Sequence, residues 1–190
     1  AVSPDVPTAL THMTETPAIE LTGLTRRMGN QQVLRGVDLE VAPGRLVVLR
    51  GGNGAGKTTL LKVLATRLRP TAGTAKLFGF DVLKEQAEVR ARMGMLSVMG
   101  GSYPVLSARE NLTMAADMTG NDRAEVGPLL AKVGLADAAD KYVRAFSSGM
   151  KKRLGLARLL LIDPDLWLLD EPYAALDDAG LHNPLIAPRY

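Results

Sequence analysis

Cysteine is absent from this 190-residue chain, and histidine is almost absent. The lack of cysteine excludes disulfide bonds, thiolate metal sites and thiol catalysis, and it fits a reducing compartment. The two histidines, His12 and His182, lie near opposite ends of the sequence and form no metal-ligand spacing. The sequence therefore predicts neither cysteine chemistry nor a histidine metal site.

Long apolar runs and a strong excess of one charge are also lacking. Apolar stretches such as Leu46–Leu49 and Leu159–Ile162 are far shorter than the ~18 to 20 residues that cross a bilayer. With 23 basic and 20 acidic residues the net charge is only +3, so there is no polycationic tail to bind nucleic acid. The sequence predicts no membrane span of its own and no nucleic-acid partner.

The N-terminal segment has neither the basic start nor the apolar core of a signal peptide. Two interpretations of it remain open. Residues 1–17 form a short disordered tail, or residues 1–12 are upstream read-through or a tag and Met13 is the natural start.

Hydrophobic periodicity predicts the strands and helices of an α/β domain. The runs IELTGL and VDLEV alternate between apolar and polar residues, which indicates half-buried strands. The continuous apolar run Leu46–Leu49 predicts a central strand covered on both faces, followed by a helix from Gly56 to just before Pro70. Further expected elements are a strand at Thr74–Phe78, a helix at Leu83–Arg92 and a strand at Met93–Val98.

The pattern becomes helical in residues 105–146, which we interpret as a helical insert in the α/β domain. Ser107 and Glu110 have the spacing of a capping box. The remaining expected elements are helices at Leu112–Met118, at Val126–Val133 and up to Ile162, and a second buried strand at Leu166–Leu169.

The segment GGNGAGKT matches the phosphate-loop pattern of a glycine, four residues and Gly-Lys-Thr. The glycines let backbone N–H groups converge on an anion, and the helix start at Gly56 adds its dipole. Lys57 can reach the β and γ phosphates of a nucleotide, and the Thr58 hydroxyl can ligate Mg²⁺. A chance glycine-rich turn is the alternative. The expected nucleotide-binding residues are Gly51, Gly52, Asn53, Gly54, Ala55, Gly56, Lys57, Thr58 and Thr59.

Two adjacent carboxylates, Asp170 and Glu171, follow the second apolar strand. Two such groups at the end of a buried strand repel each other unless a cation compensates them. Asp170 is therefore predicted to hold Mg²⁺, directly or through water, and Glu171 to direct the water that attacks the γ-phosphate. The alternative is a pair of exposed loop acids. Together with the phosphate loop, the pair predicts a nucleoside triphosphatase, with Glu171 and Lys57 as its catalytic residues.

A Ser-Ser-Gly step at residues 147–149 precedes Lys151, Lys152 and Arg153 at the start of a helix. A catalytic serine is excluded because no histidine has a place beside it. Ser147 or Ser148 can act as a simple N-cap, but a cap alone leaves the three cations unexplained. A helix start of this kind is suited to an anion, which another subunit could supply.

Four segments resemble the motifs of ABC-type ATPase cassettes. Gly51–Thr59, FSSGM at 146–150 and LWLLDEP at 166–172 are similar to the Walker A, signature and Walker B motifs, and AALD at 174–177 is similar to the D-loop. The resemblance covers residues 18–180. It implies an α/β P-loop NTPase fold, an ABC cassette with a mixed sheet core and a helical subdomain, with ATP and Mg²⁺ as cofactors.

The resemblance also implies a head-to-tail pair of cassettes, most simply a homodimer, closing on ATP. Each ATP would contact the Walker A motif of one subunit and the signature of the other, with Ser148 and Gly149 on the γ-phosphate. Asp177 would communicate across the interface. The signature residues expected to act in trans are Ser147, Ser148, Gly149 and Met150.

Three departures from the family pattern stand out. Met28 lies where an aromatic residue usually stacks on adenine, and Val98 lies where a glutamine is expected. The chain ends 19 residues after Glu171, before the family's switch histidine, and residues 181–190 lack the helical pattern expected there. We therefore expect a C-terminally truncated or frame-shifted cassette with an irregular tail.

The resemblance implies the ATP-binding and ATP-hydrolysing subunit of a bacterial ABC transporter, peripheral on the cytoplasmic face of the inner membrane. A single cassette would power export through separate permease subunits, which the helical insert and the MGGSYPV loop would contact. Among subfamilies, the signature and Walker B segments are most similar to the haem-exporter subunit of cytochrome c maturation. The alternatives are a soluble ABC ATPase outside transport and a nucleotide-binding fragment that no longer hydrolyses ATP.

Overall fold

Two alternating segments near the start of the chain form a hairpin in the computed structural model, which describes residues 16–97 and 101–171. Strand β1 (Ile19–Met28) pairs antiparallel with β2 (Gln31–Val41) across a Gly-Asn turn. Gly29 has a φ of 58°, a left-handed conformation that glycine adopts at little cost and that tight hairpin turns require. Both predicted strands are confirmed, and both are longer than the predicted runs.

Two further strands complete an antiparallel sheet of order β2-β1-β3-β4. Strand β3 (Ala72–Leu77) pairs with the other edge of β1, and the short β4 (Phe80–Asp81) pairs with β3. The strand predicted at Thr74–Phe78 is thus confirmed with a small shift. Apolar residues of this sheet share one core with helices α1 (Lys57–Leu64) and α2 (Gln86–Arg92).

Both of these helices are shorter than predicted, for local reasons. The Asp81 carboxylate accepts hydrogen bonds from the N–H groups of Leu83 and Lys84, which holds this segment in a turn and delays the start of α2. Helix α1 ends early because Thr66 adopts a left-handed φ of 57° and the Arg67 N–H donates to the carbonyl of Lys62.

A parallel pair of strands lies under the longest helix. Strand β5 (Met93–Leu96) pairs parallel with β6 (Leu166–Leu169), and helix α5 (Ser148–Ile162) packs against β5. A Cβ atom at Gly94 would collide with the side chains of Leu159 and Pro164, so glycine allows the close approach. Helix α5 ends where the sequence predicts, because Asp163 is left-handed with a φ of 46° and proline follows.

The helical segment has its own core, built by α3 (Ala108–Thr119), α4 (Val126–Lys132) and one side of α5, with three single-turn 3₁₀ helices. The predicted capping box is present, since Ser107 Oγ accepts from the Glu110 N–H at 3.1 Å and Glu110 Oε2 accepts from the Ser107 N–H at 2.7 Å. Within the two described ranges, none of the helices combines the length and the apolar character that a bilayer-spanning helix needs. The 3₁₀ helices are Arg123–Glu125, Ala136–Ala138 and Val143–Ala145.

The predicted central strand at Leu46–Leu49 is not formed. Leu46 is 81% exposed and Val48 66% exposed, while Leu49 is half-buried against the sheet core. Within the described part of the chain no strand pairs with this segment, so its backbone lacks ladder partners and its apolar side chains lack a second covering layer. The prediction of a fully buried β6 is also wrong, because only Leu168 of its four residues is buried.

Candidate nucleotide-binding site

The phosphate loop crosses from the exposed Leu46–Leu49 segment to the start of α1. Gly54 and Gly56 have φ values of 80° and 92°, which only glycine adopts readily. A Cβ at Gly56 would come within 3.0 Å of the Val33 carbonyl oxygen, so β2 backs the loop closely. Alternation of left-handed and ordinary residues turns successive N–H groups toward one side, and such a concavity binds anions.

Lys57, the first residue of α1, bends back over this loop. Its ammonium donates to the carbonyl oxygens of Gly51 at 2.6 Å and Gly52 at 2.9 Å. Both partners are neutral, and the side chain is half-exposed. Because an ammonium binds an anionic oxygen about twice as strongly as a neutral one, a phosphate could replace these carbonyls.

The next residue of α1 contacts the end of β6. Thr58 Oγ1 donates to Asp170 Oδ1 at 3.0 Å, which joins two predicted site residues that lie 112 positions apart. Asp170 is 5% exposed, and its N–H donates to the Leu96 carbonyl at 2.9 Å, so β5 holds it in place. A hydroxyl and a buried carboxylate are oxygen donors of the type that Mg²⁺ takes in nucleotide sites, where phosphates and water complete its shell. The residues therefore fit this ion.

Glu171 is exposed, in contrast to its neighbour. Its φ is 48°, a left-handed conformation that costs a residue other than glycine about 1–3 kcal/mol. Its carbonyl oxygen accepts a hydrogen bond from the ammonium of Lys152 at 2.5 Å. The end of β6 is therefore held by two helices, by α1 through the Asp170 carboxylate and by α5 through the Glu171 carbonyl.

The Ser-Ser-Gly step lies at the N-terminus of α5, as predicted. Ser147 is the N-cap, and its Oγ accepts from the Met150 N–H at 3.2 Å, so the choice between the two serines falls on Ser147. Ser147 and Ser148 are exposed, and Gly149 and Met150 are half-buried. Within the described ranges no hydrogen bond joins residues 147–150 to the phosphate loop at 51–59 of the same chain.

Lys152 is not part of the exposed surface of this helix start that is suited to an anion. This side chain is only 2% exposed and points inward to Glu171, whereas Lys151 is half-buried and Arg153 Nη1 donates to the Gly134 carbonyl at 3.3 Å. Burial lowers the pKa of Lys152, and the nearby carboxylates of Glu171 and Asp170 act in the opposite direction.

The sequence carried a signal for this inward position. Lys152 precedes Leu156 by four residues and Leu159 by seven, and both leucines are buried, so helical spacing places all three on the same side of α5. The periodicity of the helix start, and not its charge, therefore indicates where Lys152 lies.

The structure does not test the roles predicted for several other positions. Met28 is exposed at the end of β1, and nothing in the described residues tests its contact with a base. Val98, Asp177 and His182 lie outside the described residues, as does the whole D-loop motif at 174–177.

Glycine loop, Gly-Lys-Thr helix start and a carboxylate at the end of a parallel strand together define a P-loop nucleotide-binding protein of the α/β class. The family model "ABC transporter" matches residues 34–174. The chain belongs to the ABC transporter family, as an ATP-binding domain. The sequence-based prediction of this family is thus confirmed.

Two relatives and one solved structure illustrate the similarity. The chain is 41% identical to the daunorubicin resistance ATP-binding protein DrrA3 of Streptomyces coeruleorubidus, over 86% of this chain and 53% of that protein. It is 40% identical to the cytochrome c biogenesis ATP-binding export protein CcmA 2 of Cupriavidus metallidurans, over 85% of this chain and 78% of that protein. The chain thus spans about half the length of the drug-resistance relative.

The solved structure is an ATP-binding subunit of an ABC transporter, with a TM-score of 0.78 and 29% identity, covering 87% of this chain and 71% of that one. This match confirms the predicted fold class, an ABC cassette with mixed sheet pairing and helices.

Proposed function

We propose that this domain binds Mg-ATP and hydrolyses it to drive export through separate permease subunits. The observation that carries the proposal is the 3.0 Å contact between Thr58 and Asp170. It brings the helix after the phosphate loop and the strand before the acidic pair to one point. A nucleotide phosphate at the loop would then lie beside the two oxygen donors suited to its metal ion.

Each residue of the site has a proposed role. Backbone N–H groups of residues 51–59 and the Lys57 ammonium bind the phosphates, while Thr58 and Asp170 hold Mg²⁺. The ion would neutralise charge on the phosphates. Glu171 orients the attacking water and accepts its proton, for which an exposed carboxylate next to the metal-binding residue is well placed.

The start of α5 is proposed to act on a second cassette. Ser147 and Ser148 are exposed, and among the described residues they make no hydrogen bond to their own phosphate loop, which leaves them available to another. Ser148 and Gly149 would bind the γ-phosphate held by a partner cassette, with Met150 beside them and Asp177 across the interface. The expected assembly is a homodimer on the cytoplasmic face of the membrane.

Glu171→Gln tests the hydrolysis. Without a base to accept the proton from water, the ATPase rate should fall about 10²- to 10⁴-fold. ATP affinity should stay the same because the phosphate loop is intact. Steady-state phosphate release and fluorescent ATP-analogue binding measure the two quantities, and Glu125→Gln, an exposed glutamate distant from the site, is the matched control. A wild-type rate no higher than that of Glu171→Gln would contradict hydrolysis and leave a nucleotide-binding fragment.

Haem is the proposed cargo among those that the relatives suggest. Similarity to the cytochrome c biogenesis relative, of which the chain covers 78%, supports it, while the drug-resistance relative offers a different cargo. Expression in a bacterium that lacks its own haem-exporter ATP-binding subunit should restore covalent haem in c-type cytochromes, measured by haem-stained gels. An ATPase-active chain that restores none would contradict haem export and leave drug export or a soluble ABC ATPase.

A further inference from the structure

A buried lysine joins the signature helix to the acidic pair inside one chain. Lys152 lies in the first turns of α5, two residues after Met150, and is among the most completely buried large side chains of the described structure. Its ammonium donates to the carbonyl oxygen of Glu171 at 2.5 Å. The start of α5 and the end of β6 are thus connected directly.

A neutral side chain would be the ordinary occupant of such a position. Burial of an ammonium is costly unless it is compensated. The compensation here is the carbonyl of Glu171 together with the negative charges of Asp170 and Glu171, which lie close enough to act on the ammonium. The acidic pair is therefore contacted by two helices, by α5 through the Lys152 ammonium on the Glu171 carbonyl and by α1 through the Thr58 hydroxyl on the Asp170 carboxylate.

Glu171 depends on this contact for its backbone position. Asp170 is fixed twice, by its N–H bond to Leu96 and by its carboxylate bond to Thr58. Glu171 has a left-handed φ of 48°, and among the described residues the bond from Lys152 is the hydrogen bond that anchors it. Loss of that anchor would let residue 171 relax toward an ordinary conformation and turn its side chain.

We propose that Lys152 is a positioning residue that fixes Glu171 for catalysis and couples it to the start of α5. The inference rests on the proposed function, because it assigns Lys152 a role in the hydrolysis carried out by Glu171. Helix α5 begins at the signature. A partner that binds there and displaces the first turn of α5 would therefore also move Lys152 and, with it, Glu171 of the same chain.

Lys152→Met in the full chain is the direct test, because methionine keeps the length of the side chain and removes the donor. We expect kcat to fall about 10- to 100-fold, the effect of a small misplacement of a catalytic group. KM for ATP and the affinity for an ATP analogue should remain unchanged, because Lys57 and the phosphate loop are untouched. Lys132→Met, at an exposed lysine on α4, makes the same chemical change elsewhere and should leave kcat unchanged.

The double variant Lys152→Met/Glu171→Gln separates positioning from general stabilisation. If Lys152 acts through Glu171, its substitution lowers kcat no further once Glu171 is glutamine. If Lys152→Met does not melt cooperatively, Lys152→Gln, which keeps an N–H donor, is used in its place. It should also lower kcat and leave KM unchanged, with a smaller loss of kcat.

The outcomes distinguish the two proposals. An active wild-type chain with an unchanged kcat in Lys152→Met overturns the positioning role alone. A parallel loss of ATP affinity and kcat also overturns it, since it indicates a collapsed site. A wild-type rate equal to that of Glu171→Gln overturns the proposed hydrolysis and the positioning role with it.

Discussion

Two helices in the described part of the chain carry a lysine near their N-termini, and the two lysines are used differently. Lys57 at the start of α1 is half-exposed, and its ammonium is bonded to two loop carbonyls. Lys152 near the start of α5 is buried, and its ammonium is bonded to the carbonyl of Glu171. Neither helix has an acidic residue in its first turn, and both ammonium groups donate to backbone carbonyl oxygens.

The difference lies in how easily each contact can be exchanged. The Lys57 ammonium is near solvent, so its carbonyl partners can be replaced by phosphate oxygens with little change in solvation. The Lys152 ammonium is shielded from water, and its departure would leave a charge and a carbonyl without partners. A lysine at a helix start is therefore suited to ligand binding at α1 and to structural coupling at α5.

Lys57→Met should produce the largest change in ATP binding. Hydrogen bonds to charged groups contribute about 1.5–3 kcal/mol each, so ATP affinity should fall about 10- to 100-fold. Binding of a fluorescent ATP analogue measures this, with Lys62→Met in the last turn of the same helix as the matched control. The contrast between the two lysines would fail if Lys57→Met bound ATP normally, or if Lys152→Met lost as much affinity as Lys57→Met.

Asp170→Asn should have the next largest effect on ATP affinity, and only when Mg²⁺ is present. Asparagine can still accept the bond from Thr58 but has no charge, so Mg²⁺-dependent ATP affinity should fall about 10-fold, as for other weakened metal sites. ATP affinity in EDTA should not change. Titration with Mg²⁺ measures the difference, and Asp165→Asn, an exposed aspartate just before β6, is the control. Equal losses with and without Mg²⁺ would remove Asp170 from the proposed metal site.

Local features were predictable from the sequence because a few neighbouring residues determine them. The capping box of Ser107 and Glu110 and the glycine loop before Lys57 are examples. Thr58 and Asp170 are distant in the sequence but hydrogen-bonded in the structure. The sequence indicated this proximity only because both residues were predicted to bind the same Mg²⁺.

The features that the sequence did not predict depend on residues that are distant in the sequence. Leu46–Leu49 has the composition of a central strand, but a strand needs neighbours, and none pairs with it in the described part of the chain. The inward position of Lys152 depends on the buried face of α5 that it shares with Leu156, and the charge of the helix start does not indicate it. In both cases the surrounding residues determine the local structure, and the composition of the segment alone does not predict it.

The smallest expected effect compares two serine caps, Ser147 on α5 and Ser107 on α3. Removing a cap costs about 0.5–2 kcal/mol of unfolding free energy. Ser107→Ala should lie near the upper end, because this serine is buried and its bond is paired with the reciprocal bond from the Ser107 N–H to the Glu110 carboxylate. Ser147→Ala should lie near the lower end, because its single bond at 3.2 Å is exposed to water.

Urea unfolding of the nucleotide-free chain measures both costs. In the Glu171→Gln background, ATP-induced dimerisation, followed by light scattering, should weaken in Ser147→Ala and stay normal in Ser107→Ala, since only the α5 start is proposed to face a partner's ATP. Normal dimerisation in Ser147→Ala would contradict a contact between this serine and a partner's ATP, and it would leave Ser147 with the role of a helix cap alone.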